Sequence, residues 1–136
     1  MSTNGTSGSY LTEPWAPPAA PGLWVVITPH PLLGDKPYDG PALLDSGSGV
    51  CAVPRSAARS LGWTPVNKDY RVATAIGEDK VWAYLVCLHT PFGDFDKVTA
   101  IESRKDYAVI GRSILSKHLV LLDGPKLRFS ILPANP

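Results

Sequence analysis

The sequence predicts an all-β domain, closed into a barrel or sandwich and interrupted by one or two short helices. Two observations carry this. Short apolar runs alternate with Gly, Pro and Asp along most of the chain, which is the pattern of many short strands joined by turns. The 136 residues suit a single domain, large enough to bury a core without disulfide staples.

The elements follow in order. Residues 1–22 are rich in Ser, Thr, Gly and Pro. Pro14, Pro17, Pro18 and Pro21 exclude a helix or a central strand there, so this stretch is expected to be an extended arm or a flexible leader. Trp15 could still pin it to the body, which spans 23–136. Strands are predicted at 23–28, 42–44, 50–53, 70–75, 80–88, 96–101, 107–110, 119–123 and 127–132. One helix begins at Pro54, runs through Arg55 to Leu61 and stops at Gly62. A second covers Arg112 to Lys117. Asp123-Gly124-Pro125-Lys126 separates two apolar runs and reads as a hairpin turn.

Composition excludes several function classes. With 13 Lys+Arg against 12 Asp+Glu, there is no net field to attract nucleic acid or an acidic membrane. No apolar stretch approaches the roughly 20 residues that span a bilayer. The amino terminus lacks a charged segment followed by an apolar one, so no secretory signal is expected. Cys51 and Cys87 suit buried thiols in a reducing cytoplasm, with a disulfide between them as the alternative. They have no neighbouring histidine pair, and His30, His89 and His118 lack metal spacing, so no metal or cofactor is expected. His118 falls where a cation favours a helix C-terminus. Asp35, Asp39, Asp94 and Asp96 read as turn formers. Gly47-Ser48-Gly49 lacks the glycine spacing of a nucleophile elbow, and no phosphate loop is present.

Chemistry concentrates at Leu43-Leu44-Asp45-Ser46-Gly47, answered far along the chain by Val109-Ile110-Gly111-Arg112. A strand buried on both faces reads as a continuous apolar run, so a carboxylate at its end is expected to be desolvated. Ser46 can hydrogen-bond through its hydroxyl, and Gly47 lets the backbone pass close to the carboxylate. On these two segments and their order, the chain resembles the retropepsin-like family of aspartic proteases.

The resemblance covers roughly Leu23 to Leu132 and implies one lobe per chain. It implies that Asp45, Ser46 and Gly47 are catalytic, and that Ile110, Gly111 and Arg112 are structural residues beside them. Aspartic proteolysis needs two carboxylates that share a proton. Asp123 lacks the Ser/Thr that follows a catalytic aspartate, so the chain offers one such carboxylate. A C2 homodimer is then the economical solution, acting on a peptide or protein substrate. Ser46 of each subunit would bond across the dyad, and Gly47 N–H groups would support the carboxylates.

The resemblance also implies a flap hairpin whose tip, Ala75, Ile76 and Gly77, would touch substrate, with Trp82 bracing its base. A plain surface hairpin is the alternative. Some family members are processed near the arm, which makes a self-cleavage site or a substrate mimic its functional reading. Two departures stand out. Retroviral members place an acid two residues past the motif glycine as partner for the arginine; Gly49 stands there, so Arg112 needs another partner or is solvated. The carboxyl-terminal hairpin is also longer than the viral terminal strand, so the dimer contact should be built differently. The competing function is a non-catalytic peptide-binding or dimerisation module.

Overall fold

The structure is a computed structural model that describes residues 5–12 and 19–133. Ten strands and two short helices follow in the order β1 (Thr6–Ser9), β2 (Gly22–Pro29), β3 (Tyr38–Leu44), β4 (Cys51–Pro54), α1 (Arg55–Ser60), β5 (Asn67–Thr74), β6 (Gly77–Thr90), β7 (Gly93–Ser103), β8 (Ala108–Ile110), α2 (Arg112–Leu115), β9 (His118–Asp123) and β10 (Arg128–Pro133). The large sheet has the order β2-β3-β8-β4-β7-β6-β5, and β2 also pairs with β6. That extra pairing, from Val26↔His89 to Pro29↔Val86, closes the sheet into a barrel. A three-stranded antiparallel sheet, β1-β10-β9, lies beside it.

Alternation decides which residues fill the barrel. In β2, Leu23, Val25 and Ile27 are buried while Trp24 is exposed, the period of two that a strand imposes. Tyr84, Val86 and Leu88 repeat the pattern in β6. Val25, Ile27, Val53, Val86, Leu88 and Ile110 form one cluster with Trp63 and Phe129. Trp63 meets Tyr84 edge-on at 5.8 Å between ring centroids.

Two parallel pairings, β3 with β8 and β4 with β7, are set in an otherwise antiparallel sheet. They position the site. Leu43 and Leu44 lie opposite Val109 and Ile110, so the segments that follow both strands emerge side by side. Ala52 of β4 lies across β8 opposite Val109, which buries β8 between two neighbours.

Several expectations need correction. Residues 6–9, expected to lie in an extended arm or a flexible leader, form β1 and pair with β10 from Thr6↔Ile131 to Ser9↔Arg128. Leu11 bridges to Ala20 within the arm, and Tyr10 N–H donates to Leu127 O while Leu44 N–H donates to Pro21 O, so both described parts of 1–22 are tied to the body. The prolines still exclude a central strand there, since β1 is an edge strand that precedes all of them. Trp15, Pro14, Pro17 and Pro18 lie outside the described residues. β3 begins at Tyr38, so Asp39 is a strand residue that accepts a hydrogen bond from Trp24 Nε1. Asp94 and Asp96 likewise belong to β7. Pro41 is tolerated in β3 because β8 pairs only from Ala42 onward. Pro54 closes β4 and caps α1 without entering it.

The β5–β6 hairpin extends away from the barrel. From Ala73 to Lys80 every residue is exposed. Its ladder ends at Thr74↔Gly77, leaving Ala75-Ile76 as a two-residue turn. Gly77 sits at φ +141°, a conformation that an L side chain resists. Thr74 Oγ1 donates to Gly77 O at 3.1 Å.

At the hairpin base lies a buried ionic cluster that no local sequence pattern signals. Glu102, at 6% exposure, accepts two bonds from Arg59, Nε to Oε2 at 3.1 Å and Nη2 to Oε1 at 2.8 Å. The Tyr84 hydroxyl and the Trp82 N–H also donate to it, at 3.2 and 3.4 Å. Burial pushes the Glu102 carboxyl up, yet these bonds, led by Arg59, carry it below the usual carboxylate range. Tyr84 is pushed up to about 12, first by burial and then by the facing carboxylate.

Candidate active site

Asp45 is the first residue after β3. Its N–H donates to Ile110 O at 3.0 Å, continuing the β3–β8 ladder by one residue. The chain then turns, with Ser48 N–H bonding back to Asp45 O at 3.2 Å. Asp45 Oδ1 accepts the Gly47 N–H at 2.8 Å, so the side chain is oriented by its own loop. The desolvation expected of Asp45 is not met within one chain: Asp45, Ser46 and Gly47 are all exposed. The buried run ends at Leu44, and the loop carries the carboxylate past the edge of the barrel core.

The segment after β8 locks this loop. Arg112 N–H donates to Ser48 O at 2.8 Å, and Ser113 N–H to Gly49 O at 3.2 Å. Gly111 is pressed so closely that a Cβ there would lie 2.3 Å from Val50 O and 2.7 Å from Ser48 O. Its φ is −95°, so the demand for glycine comes from space and not from the backbone angle. Ser48 Oγ donates to Val50 O at 2.7 Å, which holds the far end of the loop.

Arg112 takes a partner that its position in the sequence did not indicate. Its guanidinium donates from Nη1 to Ser46 O at 2.7 Å and passes over Gly49, whose added Cβ would sit 3.5 Å from Nη2. The cation therefore fastens the carbonyl between Asp45 and Gly47. Beside it, Leu44, Ser46, Leu115, His118, Val120 and Leu122 border a mainly apolar cavity of about 340 Å³. His118 Nδ1 bonds to Ile114 O at 2.9 Å, at the end of α2, and its ring packs edge-on against Phe92 and Phe95.

Ala75, Ile76 and Gly77 are at the hairpin tip, with Ile76 99% exposed. Trp82 lies at the base, where the Arg59 guanidinium stacks 3.8 Å from the ring centroid and Lys68 Nζ approaches to 4.9 Å. Cys51 and Cys87 are free thiols. Burial pushes the Cys51 thiol up, opposed by the Gly111 backbone and the Ser113 hydroxyl. Among the described residues, no group of three or more His, Cys, Asp or Glu is gathered to hold a metal, and no helix is long and apolar enough to cross a membrane.

No protein-family model and no curated protein matches the chain. Solved structures do. A retropepsin-like aspartic protease from Rickettsia conorii aligns at a TM-score of 0.59 and 13% identity, covering 98% of this chain and 96% of the other. The EIAV protease, complexed with the inhibitor HBY-793, aligns at a TM-score of 0.54 and 17% identity, covering 80% of this chain and 92% of the other. The chain therefore has the retropepsin-like fold, all-β and one lobe in size.

Proposed function

We propose that this chain is one half of an aspartic endopeptidase, in which Asp45 meets the Asp45 of a second copy across a twofold axis. The observation that carries this reading is the geometry of Asp45. It is a single exposed carboxylate, fixed by the Gly47 N–H on a loop that Gly111 and Arg112 lock from behind. Such rigidity is what a preorganised reacting group requires. An exposed carboxylate beside an identical one would lose its solvent on pairing, and the two would share a proton.

In the dimer, the ionised carboxylate takes a proton from a water held between the pair. The oxygen of that water attacks the scissile carbonyl carbon, while the protonated carboxyl donates its proton to the carbonyl oxygen. A gem-diol intermediate forms. Collapse of the diol breaks the C–N bond, and the carboxyl that took the water's proton gives it to the leaving nitrogen. The other carboxylate takes a proton from a diol hydroxyl as the carboxylic acid product forms, and the dyad is left with one shared proton. Ser46 is next to the dyad, and the Ile76–Gly77 tip would close over the peptide. β9 is the edge of its sheet and exposes Leu119, Leu121 and Leu122, which supports a second copy as the cover of this side.

The test is peptide cleavage by the wild-type chain and by Asp45→Asn, each followed across a dilution series. Cleavage is expected to vanish in the variant while its fold persists. Wild-type specific activity should fall as sedimentation shows the dimer dissociating. Full activity in Asp45→Asn, or undiminished specific activity in a monomer, would overturn the reading.

A further inference from the structure

Five cationic side chains from three parts of the chain line one cavity of about 500 Å³ at the base of the β5–β6 hairpin. Arg55 and Arg59 come from α1, Lys68 and Lys80 from the two hairpin strands, and Arg104 directly follows β7. A chain with a net charge of only +1 has thus gathered positive charge locally. Two carboxylates share the lining, Asp79 and Glu102. Glu102 is already engaged by Arg59, Tyr84 and the Trp82 N–H, and Arg55 reaches it only at 3.9 Å. Among the described residues, no carboxylate lies within ion-pair distance of Lys68, Lys80 or Arg104. Like charges held this close repel one another, and a bound anion removes that cost.

We infer that this cavity binds a compact, multiply charged phosphate group. The cations converge from α1, the hairpin and β7 on one concavity, whereas an acidic peptide would need them strung along a strip. Arg55 stands one turn before Arg59 on α1 and approaches Glu102 only at 3.9 Å, so its paired N–H donors can bind phosphate. The Nε and Nη2 donors of Arg59 are taken by Glu102 and leave it to supply charge to the wall. Trp82 forms part of the wall, with its ring already covered by Arg59 and Lys68, so the site offers charge and hydrogen bonds more than a stacking face. Lys68 and Lys80 belong to the hairpin, while Arg55, Arg59 and Arg104 belong to the barrel side. A phosphate group between them ties the hairpin to the body, whatever chemistry takes place at Asp45.

Calorimetric titration of the full chain with inorganic tripolyphosphate tests this, independently of any cleavage assay. Saturable binding is expected. It should weaken steeply with added salt and at least tenfold in the double variant Lys80→Gln/Arg104→Gln, and remain unchanged in Lys97→Gln/Lys117→Gln. Amide exchange over residues 70–80 should slow on binding. No saturable binding at millimolar tripolyphosphate would overturn the inference, as would equal affinity in the Lys80/Arg104 variant. Tighter binding of a hexaglutamate peptide than of tripolyphosphate would overturn the assignment to phosphate.

Discussion

Gly111→Ala puts a methyl group where the loop around Asp45 has no space for one. The added carbon would lie 2.3 Å from Val50 O and 2.7 Å from Ser48 O, whereas ordinary contact begins at 3.4 Å. The obstructing atoms are backbone, so no rotamer change relieves the clash. The loop must retreat by about 1 Å, and overpacking of this kind costs about 3 kcal/mol, the upper end of the usual range, because main chain and not side chain has to move. The retreat also stretches the Arg112 N–H to Ser48 O bond and the Ser113 N–H to Gly49 O bond, now 2.8 and 3.2 Å. For a chain of this length, about 3 kcal/mol lowers the melting temperature by about 10 °C. Urea unfolding followed by circular dichroism measures the change directly. Gly124→Ala is the control, since a Cβ there meets nothing within 4 Å; it should stay within about 0.5 kcal/mol of wild type. If Gly111→Ala matched that control, the claim that close backbone approach dictates this glycine would be wrong.

Two further outcomes follow from the ionic contacts. Glu102 has a carboxyl held below its ordinary value in the folded chain, so its contribution is complete above the unfolded value of about 4.3 and disappears as pH falls through the folded one. The stability gap between wild type and Glu102→Gln, measured by urea unfolding, should therefore narrow as pH falls below about 4.3; a gap independent of pH would contradict the ionised Arg59–Glu102 pairing. Arg112→Gln removes the donor that fastens Ser46 O but leaves the Gly111 contact intact. Peptide cleavage by the dimer should fall at least tenfold while the melting temperature shifts little, and unchanged cleavage would show that the Ser46 carbonyl needs no anchor.

The nine strands expected from apolar runs are all present, although β3 and β5 begin earlier than their apolar runs, at Tyr38 and Asn67, and β4 is buried throughout. Val25 and Ile27, or Val86 and Leu88, face inward for reasons contained in a few neighbouring residues. What could not be read locally depends on partners distant in the chain. β1 has no apolar pattern of its own: Thr6-Ser7-Gly8-Ser9 is a strand because β10 offers a free edge, and composition alone suggests a tail. Asp39 sits before Gly40-Pro41, a turn signal, but Val26 pairs with it and Tyr38 anchors beside it, its hydroxyl bonded to Pro41 O at 2.7 Å. Glu102 carried no signal except an acid within an apolar strand, and its partner Arg59 is far away in sequence. The candidate site was legible where it is local, in Asp45-Ser46-Gly47, and where it is paired, in Ile110-Gly111. The missing acid at Gly49 left Arg112 either to find another partner or to be solvated, and gave no sign that its acceptor would be a backbone carbonyl.

The two parallel pairings explain why one site can be assembled from such distant segments. An antiparallel partner for β3 would place its turn at the opposite end from Asp45. A parallel one makes both strands finish together, so that Asp45 and Gly111 leave the sheet at the same level, with Asp45 N–H still bonded to Ile110 O. From there Gly111 controls how closely the loop can approach, and Arg112 fixes the carbonyl in its middle. None of these contacts uses the Asp45 carboxylate, which stays exposed. A single chain thus fixes the position of Asp45 without burying it. On the dimeric reading, burial comes from outside the chain: a second identical loop would supply both the missing desolvation and the second carboxylate. The exposure that contradicts the local sequence expectation is therefore what the dimeric reading requires of each half.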